Sequence, residues 1–298
     1  MYGFFARQTV KRKMHKFDLH LHTTASDGSD TPAELVAIAK EAGLTVISVT
    51  DHDTLDGCIE AIKIPESDVK VITGIEFSCH KYGEVDFDCH ILGYGFDPSS
   101  PELLAALSHG RQMRLMKLES RLEYLKSKHG IVFDRYEIEW LHSLNSAARP
   151  HLAGLLVKRG LACSIADAID LYLKGDNFPD DRIDAGEAIS AIIAAGGIPV
   201  YAHPIGGERE RRLSHQELEE RVDALIPLGL GGLECYYSRY SESDESFLIA
   251  FAKSRGLLIS AGSDYHGRNK TVEFARLSAD TDTDAPECSI VSVLLGDG

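Results

Sequence analysis

The chain has 298 residues, 44% hydrophobic and 26% charged, which is typical of a globular protein with one large α/β domain or a domain plus an insertion. Its net charge of −15 argues against duplex DNA and anionic membranes as partners, and no apolar run approaches the roughly 18 residues of a membrane span. The six cysteines form no Cys-x-x-Cys pair, so we expect a reducing, cytoplasmic location. The oligomeric state is left open.

Residues 1–16 are basic and lack the apolar stretch of a secretory signal. We interpret them as an N-terminal tail. Met14 lies three residues before the first predicted strand, so it is an alternative start to Met1.

Strand-like and helix-like patterns alternate over residues 17–97. Apolar or β-branched runs predict strands at 17–22, 45–50, 69–77 and 86–96. Helices are predicted at 33–42, where Thr31 and Pro32 suit the N-cap and first helical position, and at 54–62.

The pattern changes to helices alone over residues 98–181. Helical periodicity covers 103–129, 146–159 and 164–173, without a strand-like run between them. We predict that 98–181 is a helical insertion or cap.

The alternation then resumes, with helices predicted at 185–195, 214–228 and 242–255 and strands at 198–202, 232–236 and 257–261. Repeated β-then-α units predict parallel strands joined by right-handed crossovers. We therefore predict one α/β barrel domain built from 17–97 and 182–298, with a solvated acidic loop at 280–287.

Polar residues with metal-binding chemistry cluster where predicted strands end. His20 and His22 are two residues apart on one strand, so both rings face the same side, and Asp27 follows in a polar turn. Other strands end in the same kind of residue: His52, Glu76, His203, Asp264 and His266. Because β/α barrels gather such residues at one face, the pattern predicts a metal-dependent hydrolase.

Five motifs resemble the PHP (polymerase and histidinol phosphatase) family over about 17–97 and 185–268. They are Asp18-Leu-His-Leu-His22, Thr50-Asp-His-Asp53, Gly74-Ile-Glu76, Ala202-His-Pro204 and Ser263-Asp-Tyr-His266. Within the family, the chain looks closest to nucleoside 3',5'-bisphosphate phosphatases and 5'-3' exoribonucleases. That likeness depends on Asp27, the run Cys89–Tyr94 and Arg149-Pro-His151.

The resemblance implies a distorted (β/α)7 barrel holding three divalent ions, with Mn²⁺ foremost and Fe, Zn or Mg as alternatives. By this likeness, metal one is held by His20, His22, Glu76 and Asp264. Metal two is held by Glu76, His90 and His203, and metal three by Asp27, His52 and His266. Imidazoles and carboxylates are suitable ligands for such ions.

The implied activity is phosphate-ester hydrolysis by a metal-activated hydroxide. His203 or His266 is expected to protonate the leaving alkoxide, and Arg149 with His151 to grip a second phosphate. The expected substrate is a 3',5'-bisphosphorylated nucleotide or a 5'-phosphorylated short RNA. We interpret Tyr236 and Tyr237 as core residues by default, with stacking on a base as the alternative.

Two other functions are compatible with parts of the pattern. One is a phosphatase for an amino-alcohol phosphate such as histidinol phosphate, against which Asp27 and the Arg-Pro-His segment count. The other is a non-catalytic nucleic-acid accessory module. Such a module would have lost several metal ligands, whereas here every expected ligand position carries a suitable residue.

Several further residues receive supporting roles. We interpret Asp51, Asp53 and Glu234 as neighbours of the ligands, and Cys79 and Cys89 as buried apolar residues.

Overall fold

The computed structural model describes residues 16–65, 68–144, 149–174, 178–208, 210–277 and 288–296. Its strands are β1 Phe17–Leu21, β2 Val46–Val49, β3 Lys70–Lys81, β4 Phe87–Tyr94, β5 Ile183–Asp184, β6 Ile198–Tyr201, β7 Gly232–Tyr237 and β8 Leu258–Gly262. Our interpretations of the tail before residue 16, of the start residue and of the acidic stretch 280–287 concern residues outside these ranges.

Ten α-helices lie in the described ranges. They are α1 Pro32–Glu41, α2 Asp56–Ile62, α3 Pro101–His129, α4 Arg135–Ser143, α5 Arg149–Lys158, α6 Ile165–Ala168, α7 Ala185–Ala194, α8 His215–Leu225, α9 Glu242–Ser254 and α10 Ser289–Leu295. None of these helices is both long enough and apolar enough to cross a membrane. The sequence patterns did not predict α4 or α10, although Asp134 and Glu137 form a capping box at the start of α4.

Seven strands follow one another around a barrel in the order β1-β2-β3-β4-β6-β7-β8, and β5 pairs with β3 outside this path. The chain beyond β8 closes the ring against β1. There the Asp264 N–H donates to the His20 carbonyl and the His22 N–H to the Tyr265 carbonyl, both at 2.9 Å. The predicted distorted seven-stranded α/β barrel is confirmed.

Glycine is required where β8 meets β1. A Cβ added at Gly262 would lie 2.1 Å from the Cβ of His20, far inside van der Waals contact. The missing side chain therefore lets the last strand reach the strand that carries the histidine pair.

The expectation of parallel strands throughout is wrong for β4. This strand runs antiparallel to both β3 and β6 because a short turn, with no crossover helix, joins β3 to β4. As a result His90 lies within β4 opposite Ser78, and β3 continues past Glu76 to Lys81. These two site residues come from strand interiors, not strand ends.

The helices between β4 and β5 have an apolar cluster of their own. Leu118 and Leu125 of α3 pack there with residues of α4, α5 and α6. The first turns of α3 belong to the barrel instead, since Leu103 and Ala106 pack in its main core. Helix α3 therefore links the two parts, and a separate unit at 98–181 remains a prediction.

Candidate metal centre

Glu76 lies at the centre of a cluster of histidine rings. Its fully buried carboxylate has ring nitrogens of five histidines within 3.2 Å, those of His20, His22, His52, His90 and His203. These rings come from β1, β4, the end of β6 and the loop after β2, so the barrel brings together residues up to 183 positions apart in sequence. We call these five rings, with Asp27, Glu76, Asp264 and His266, the histidine cluster.

The first candidate position is completely buried. The Nε2 atoms of His20 and His22 lie 3.2 and 3.1 Å from Glu76 Oε2, and 3.5 and 3.4 Å from Asp264 Oδ1. Two imidazoles and two carboxylates therefore converge on one point, with the residue set that the family resemblance implies for metal one.

The second candidate position differs from the expected set by one residue. Ring nitrogens of His90 and His203 lie 2.9 and 3.2 Å from Glu76 Oε1, as expected. His52 also approaches Glu76, with its Nδ1 3.2 Å from Oε2, and forms a compact group with Glu76 and His90. His52 is thus available to two positions.

The third candidate position lies nearer the surface. His266 Nε2 lies 3.2 Å from Asp27 Oδ1, and His22 Nδ1 lies 3.7 Å from the same oxygen. His52 completes the group, within which all ligand atoms lie within 4.8 Å of one another. The side chain of Asp27 is half exposed, so this position is open to solvent.

The residues fit divalent ions because the cluster contains buried polar atoms without hydrogen-bond partners. In the described chain these include His20 Nε2, both ring nitrogens of His22, His52 Nδ1, Glu76 Oε2 and His266 Nε2. Buried polar atoms are nearly always satisfied in folded proteins, so a group of them facing one another suits the binding of divalent cations.

The backbone is strained at the same place. Three of the four non-glycine residues with positive φ in the described ranges are Asp53 (54°), His203 (28°) and Asp264 (60°), all in or beside the cluster. Such conformations are costly for residues with a Cβ and concentrate at functional sites.

Charges within the cluster shift the pKa values of its members. Burial opposes charge on His20, but Glu234, Glu76 and Asp264 raise its pKa well above the usual range. The pKa of His22 is raised to about 9 in the same way, by Asp264 and Glu76 against the effect of burial. The pKa of Glu76 is held well below normal, because the histidines overcome its burial. In the absence of metal, protonated His20 and His22 balance the charge of these carboxylates.

Neighbouring side chains hold the carboxylates of the site. Tyr237 O–H and Lys270 Nζ donate to Asp264 Oδ2 at 3.0 and 2.8 Å, which leaves Oδ1 facing His20 and His22. Tyr237 is fully buried, which agrees with the default interpretation of a core residue and not with the alternative of base stacking. Tyr236 is half-buried and packs against the barrel core instead.

The carboxylates that flank His52 organise the loops around it. Asp51 accepts hydrogen bonds from the backbone and hydroxyl of Thr23, and Asp53 accepts from the Ser78 N–H and from Arg114. These contacts agree with their interpretation as neighbours of the ligands. Cys79 and Cys89 are buried in the barrel core, as expected.

A cavity of about 420 Å³ opens beside the cluster, and His90 forms part of its wall. We call it the basic cavity because five of its lining residues are cationic: Arg114, Lys117, Arg121, Arg149 and Arg182. Asp53 pairs with Arg114, Asp181 with Lys117 and Asp88 with Arg182. In the described residues no carboxylate lies within salt-bridge distance of Arg121 or Arg149.

The two residues expected to bind a second phosphate are placed differently. Arg149 and Pro150 line the basic cavity. His151 is not among its lining residues, and its ring contacts Trp140 edge-on with centroids 6.1 Å apart.

Sequence reasoning missed several residues near the site. Arg114, Lys117 and Arg121 are spaced by three and four along α3, the spacing of one helix face, so a count of cations on each face would have found them. Glu210, whose Oε2 lies 3.4 Å from His203 Nδ1, and Lys270 carry no such signal. Only the fold brings these two to the site.

Comparisons with known proteins agree with this geometry. Residues 18–198 match the sequence profile of a family described as PHP domain. A 5'-3' exoribonuclease from Haemophilus influenzae is 32% identical over 258 residues, which cover 84% of this chain and 90% of that protein. A 3',5'-nucleoside bisphosphate phosphatase from Chromobacterium violaceum is 29% identical over 85% of this chain and 88% of its own length.

A solved structure gives the same result. A protein assigned as a metal-dependent phosphoesterase from Bifidobacterium adolescentis superposes with a TM-score of 0.73 at 28% sequence identity. The superposition covers 95% of this chain and 96% of that one.

Proposed function

Because this chain belongs to the PHP family of metal-dependent phosphoesterases, we propose that it hydrolyses phosphate esters of 3',5'-bisphosphorylated nucleotides or of 5'-phosphorylated short RNA. Two relatives of similar length have these substrate classes in their names, a nucleoside bisphosphate phosphatase and an exoribonuclease. The proposed location is cytoplasmic, which agrees with six cysteines that are all free thiols.

The observation that carries this proposal is the position of His90. It belongs to the histidine cluster through Glu76 and also lines the basic cavity. A substrate with its reacting phosphate at the cluster can therefore place a second phosphate in the cavity. Guanidinium groups bind phosphate oxygens in pairs, and within the described ranges Arg121 and Arg149 have no carboxylate at salt-bridge distance.

We propose three divalent ions, with Mn²⁺ foremost, held by the three residue groups described above. The first group is His20, His22, Glu76 and Asp264; the second is His52, Glu76 and His90 with His203; the third is His22, Asp27, His52 and His266. Such ions, when bound, supply an activated hydroxide and neutralise charge that develops on phosphate oxygens.

Among the two histidines considered as proton donors, the contacts favour His203. His266 donates its Nδ1–H to the Asp264 carbonyl at 2.9 Å, and its Nε2 faces Asp27, so both nitrogens are engaged inside the cluster. His203 Nδ1 faces Glu210, a half-exposed carboxylate through which a proton can be exchanged with solvent. With Nε2 on the side of the metal group, only Nδ1 of His203 can carry a transferable proton, and it faces a carboxylate that solvent reaches. We propose that His203 supplies this Nδ1 proton to the leaving alkoxide and that Glu210 orients the ring.

The basic cavity also argues against an amino-alcohol phosphate as the substrate. Such a molecule would bring an ammonium group close to five cationic side chains. Like charges at this range repel, whereas the second phosphate of a nucleotide is attracted.

The test is phosphate release in the presence of Mn²⁺ from adenosine 3',5'-bisphosphate, AMP and histidinol phosphate, with a 5'-phosphorylated RNA pentamer assayed in parallel. We expect the bisphosphate or the pentamer to be turned over with the highest kcat/KM, and EDTA to abolish activity until Mn²⁺ is restored. A preference for histidinol phosphate would reject the proposed substrate class, and activity in EDTA would reject the metal centre.

A further inference from the structure

Glu234 has a fully buried carboxylate. It contacts the histidine cluster on the side of the His20 ring opposite to Glu76. One oxygen lies 2.9 Å from His20 Nδ1, and the other accepts the backbone N–H of His203 at 2.7 Å. We propose that Glu234 is a positioning residue that orients His20 and His203 together and so sets the affinity of the cluster for metal. This inference rests on the proposed metal centre, but not on the proposed substrate.

The first contact determines which nitrogen of His20 is free. A carboxylate oxygen accepts hydrogen bonds, so Nδ1, the ring nitrogen that faces Glu234, is the donor of this contact and carries a proton. The Nε2 atom is then the one available for a metal ion. That atom has no hydrogen-bond partner and faces Glu76 Oε2 and Asp264 Oδ1. A carboxylate behind a ligating imidazole fixes the ring orientation and makes the ligand more basic.

The second contact, from the His203 N–H to Glu234, supports the backbone just after β6. His203 has φ of 28°, a conformation that a residue with a Cβ rarely adopts without support. The hydrogen bond from its N–H to Glu234 Oε2 is made directly at this residue. In this backbone conformation the His203 ring faces Glu76, and its Nε2 lies 3.2 Å from Glu76 Oε1. One carboxylate therefore ties the first candidate position to the second.

An irregularity in β7 makes this placement possible. Glu234 pairs with Ser260 of β8, but Tyr236 pairs with Ala261, so β7 contains one extra residue between these pairs. In a regular strand, residues 234 and 237 would face opposite sides of the sheet. The bulge brings both to the site, where Glu234 contacts His20 and Tyr237 contacts Asp264.

The contacts also distinguish a positioning role from direct ligation. Both oxygens of Glu234 are already used by N–H donors, and the carboxylate lies on the Nδ1 side of the His20 ring. The ring nitrogen that faces Glu76 lies on the other side. Direct ligation would require both hydrogen bonds to break.

The decisive variant is Glu234→Gln, which keeps size and shape. A carboxamide has one oxygen and one NH2 group, so it cannot accept from both donors, and the NH2 group must face His20 Nδ1 or the His203 N–H. We expect Co²⁺ to bind about 10- to 100-fold more weakly, measured by titration of the metal-free protein and followed by absorption. Unchanged Co²⁺ affinity would overturn the proposal.

A matched control separates this effect from the loss of any buried carboxylate. Glu245 of α9 is 5% exposed and lies outside the cluster, so Glu245→Gln should leave Co²⁺ affinity unchanged. Equal weakening in both variants would show a general loss of fold stability and would reject positioning by Glu234.

A measurement on the unaltered protein decides the matter if Glu234→Gln does not fold. In Zn²⁺-loaded protein with ¹⁵N-labelled histidine, we expect the His20 signal, identified by its absence in His20→Gln, to show a protonated Nδ1 and a metal-bound Nε2. A metal-bound Nδ1 would overturn the inference. Neither experiment uses a phosphate ester, so failure of the substrate assay leaves this test intact.

Discussion

Arg121 is the residue whose surroundings most clearly indicate a missing anion. It is 5% exposed, stacks on Phe178, and its Nε has no hydrogen-bond partner in the described chain. Burial lowers its pKa to about 10 with help from the charges of Arg149 and Arg114, although the carboxylate of Asp181 opposes this shift. Arg121 therefore remains charged at neutral pH. A buried cation without a carboxylate at salt-bridge distance, as Arg121 is among the described residues, is unfavourable for stability, and the second phosphate of a substrate would compensate it.

Arg121→Met tests this interpretation. We expect KM for adenosine 3',5'-bisphosphate to rise about 10- to 100-fold, the value of a charged hydrogen bond, while KM for an aryl phosphate changes little. The melting temperature should stay the same or rise, since Arg121 forms no salt bridge with a described residue. Arg111→Met, on an exposed position of the same helix, is the control. Equal effects on both substrates would show that Arg121 does not bind the second phosphate.

Glu210 provides the corresponding test for the proton route. Burial opposes its charge, but His203 lowers its pKa to about 2, so it is ionised across the working range. We expect Glu210→Gln to lower kcat about tenfold with metal content unchanged, because the variant loses the orientation of the His203 ring. Glu220→Gln, on the exposed face of α8, is the control. An unchanged kcat would exclude Glu210 from the proton route.

At the scale of elements, the placement of the site depends on two departures from a regular β/α barrel. Strand β4 runs antiparallel, which puts His90 between the cluster and the basic cavity. Helix α3 extends from the barrel core to the outer helices and places its cationic face in that cavity. Loss of either arrangement would separate the proposed second-phosphate site from the metal centre.

The closure of the barrel, where β8 meets β1, can be tested by adding a single methyl group at Gly262. Gly262→Ala would place its Cβ 2.1 Å from His20 Cβ, so β8 must move away from β1. We expect a loss of about 1–3 kcal/mol in the free energy of unfolding, together with weaker metal binding, measured by urea denaturation and by Co²⁺ titration. Gly154→Ala, where no atom lies within 4 Å of the added Cβ, should be neutral or stabilising. A Gly262→Ala protein as stable as this control would contradict the closure described here.

Across the whole molecule, the charge of −15 contrasts with the cationic pocket beside the site. The acidic surface repels polyanions in general, whereas the cavity and the metal centre attract phosphate locally. We therefore expect a preference for small phosphorylated substrates or single-stranded ends over long duplexes.

The same balance of charges predicts how stability depends on pH. The pKa values of His22 and His203 are raised to about 9 and about 10 by Asp264, Glu76 and Glu210, above the 6.5 of a free imidazole and against the effect of burial. Raised values stabilise the fold below pH 6.5, and that contribution is lost as pH rises through 9 to 10. We therefore expect the melting temperature in EDTA to fall from pH 7 to pH 9.

Bound metal should oppose this loss of stability with rising pH, because the ions replace the histidine protons that otherwise balance the carboxylates. With Mn²⁺ present, the melting temperature should be higher at every pH, and Mn²⁺ affinity should increase with pH as protons are displaced. Thermal unfolding with and without Mn²⁺ measures both effects. A flat profile in EDTA would mean that these histidines hold no protons in the metal-free protein.

Much of the site was predictable because its chemistry is local in sequence. The spacing of His20 and His22 follows from strand geometry, and apolar runs that end in His52, His203 and Asp264 identify one face of a barrel. The structure brings all nine expected ligand residues into one cluster. Their identity as ligands remains our proposal.

Other features could not be predicted because they depend on long-range packing. The sharing of His52 between two positions, the antiparallel β4 and the burial of Tyr237 result from how strands pair. Glu210 and Lys270 reach the site only through the path of their loops.

The sequence by itself thus determined the fold class, the family and the type of chemistry, since residue spacing and strand or helix periodicity are set by neighbours along the chain. The tertiary structure alone decided that Glu76 is the centre, that Glu234 supports two histidines and that a basic cavity opens beside His90. These contacts join residues far apart in sequence, and their distances are set only when the barrel closes and α3 packs against it.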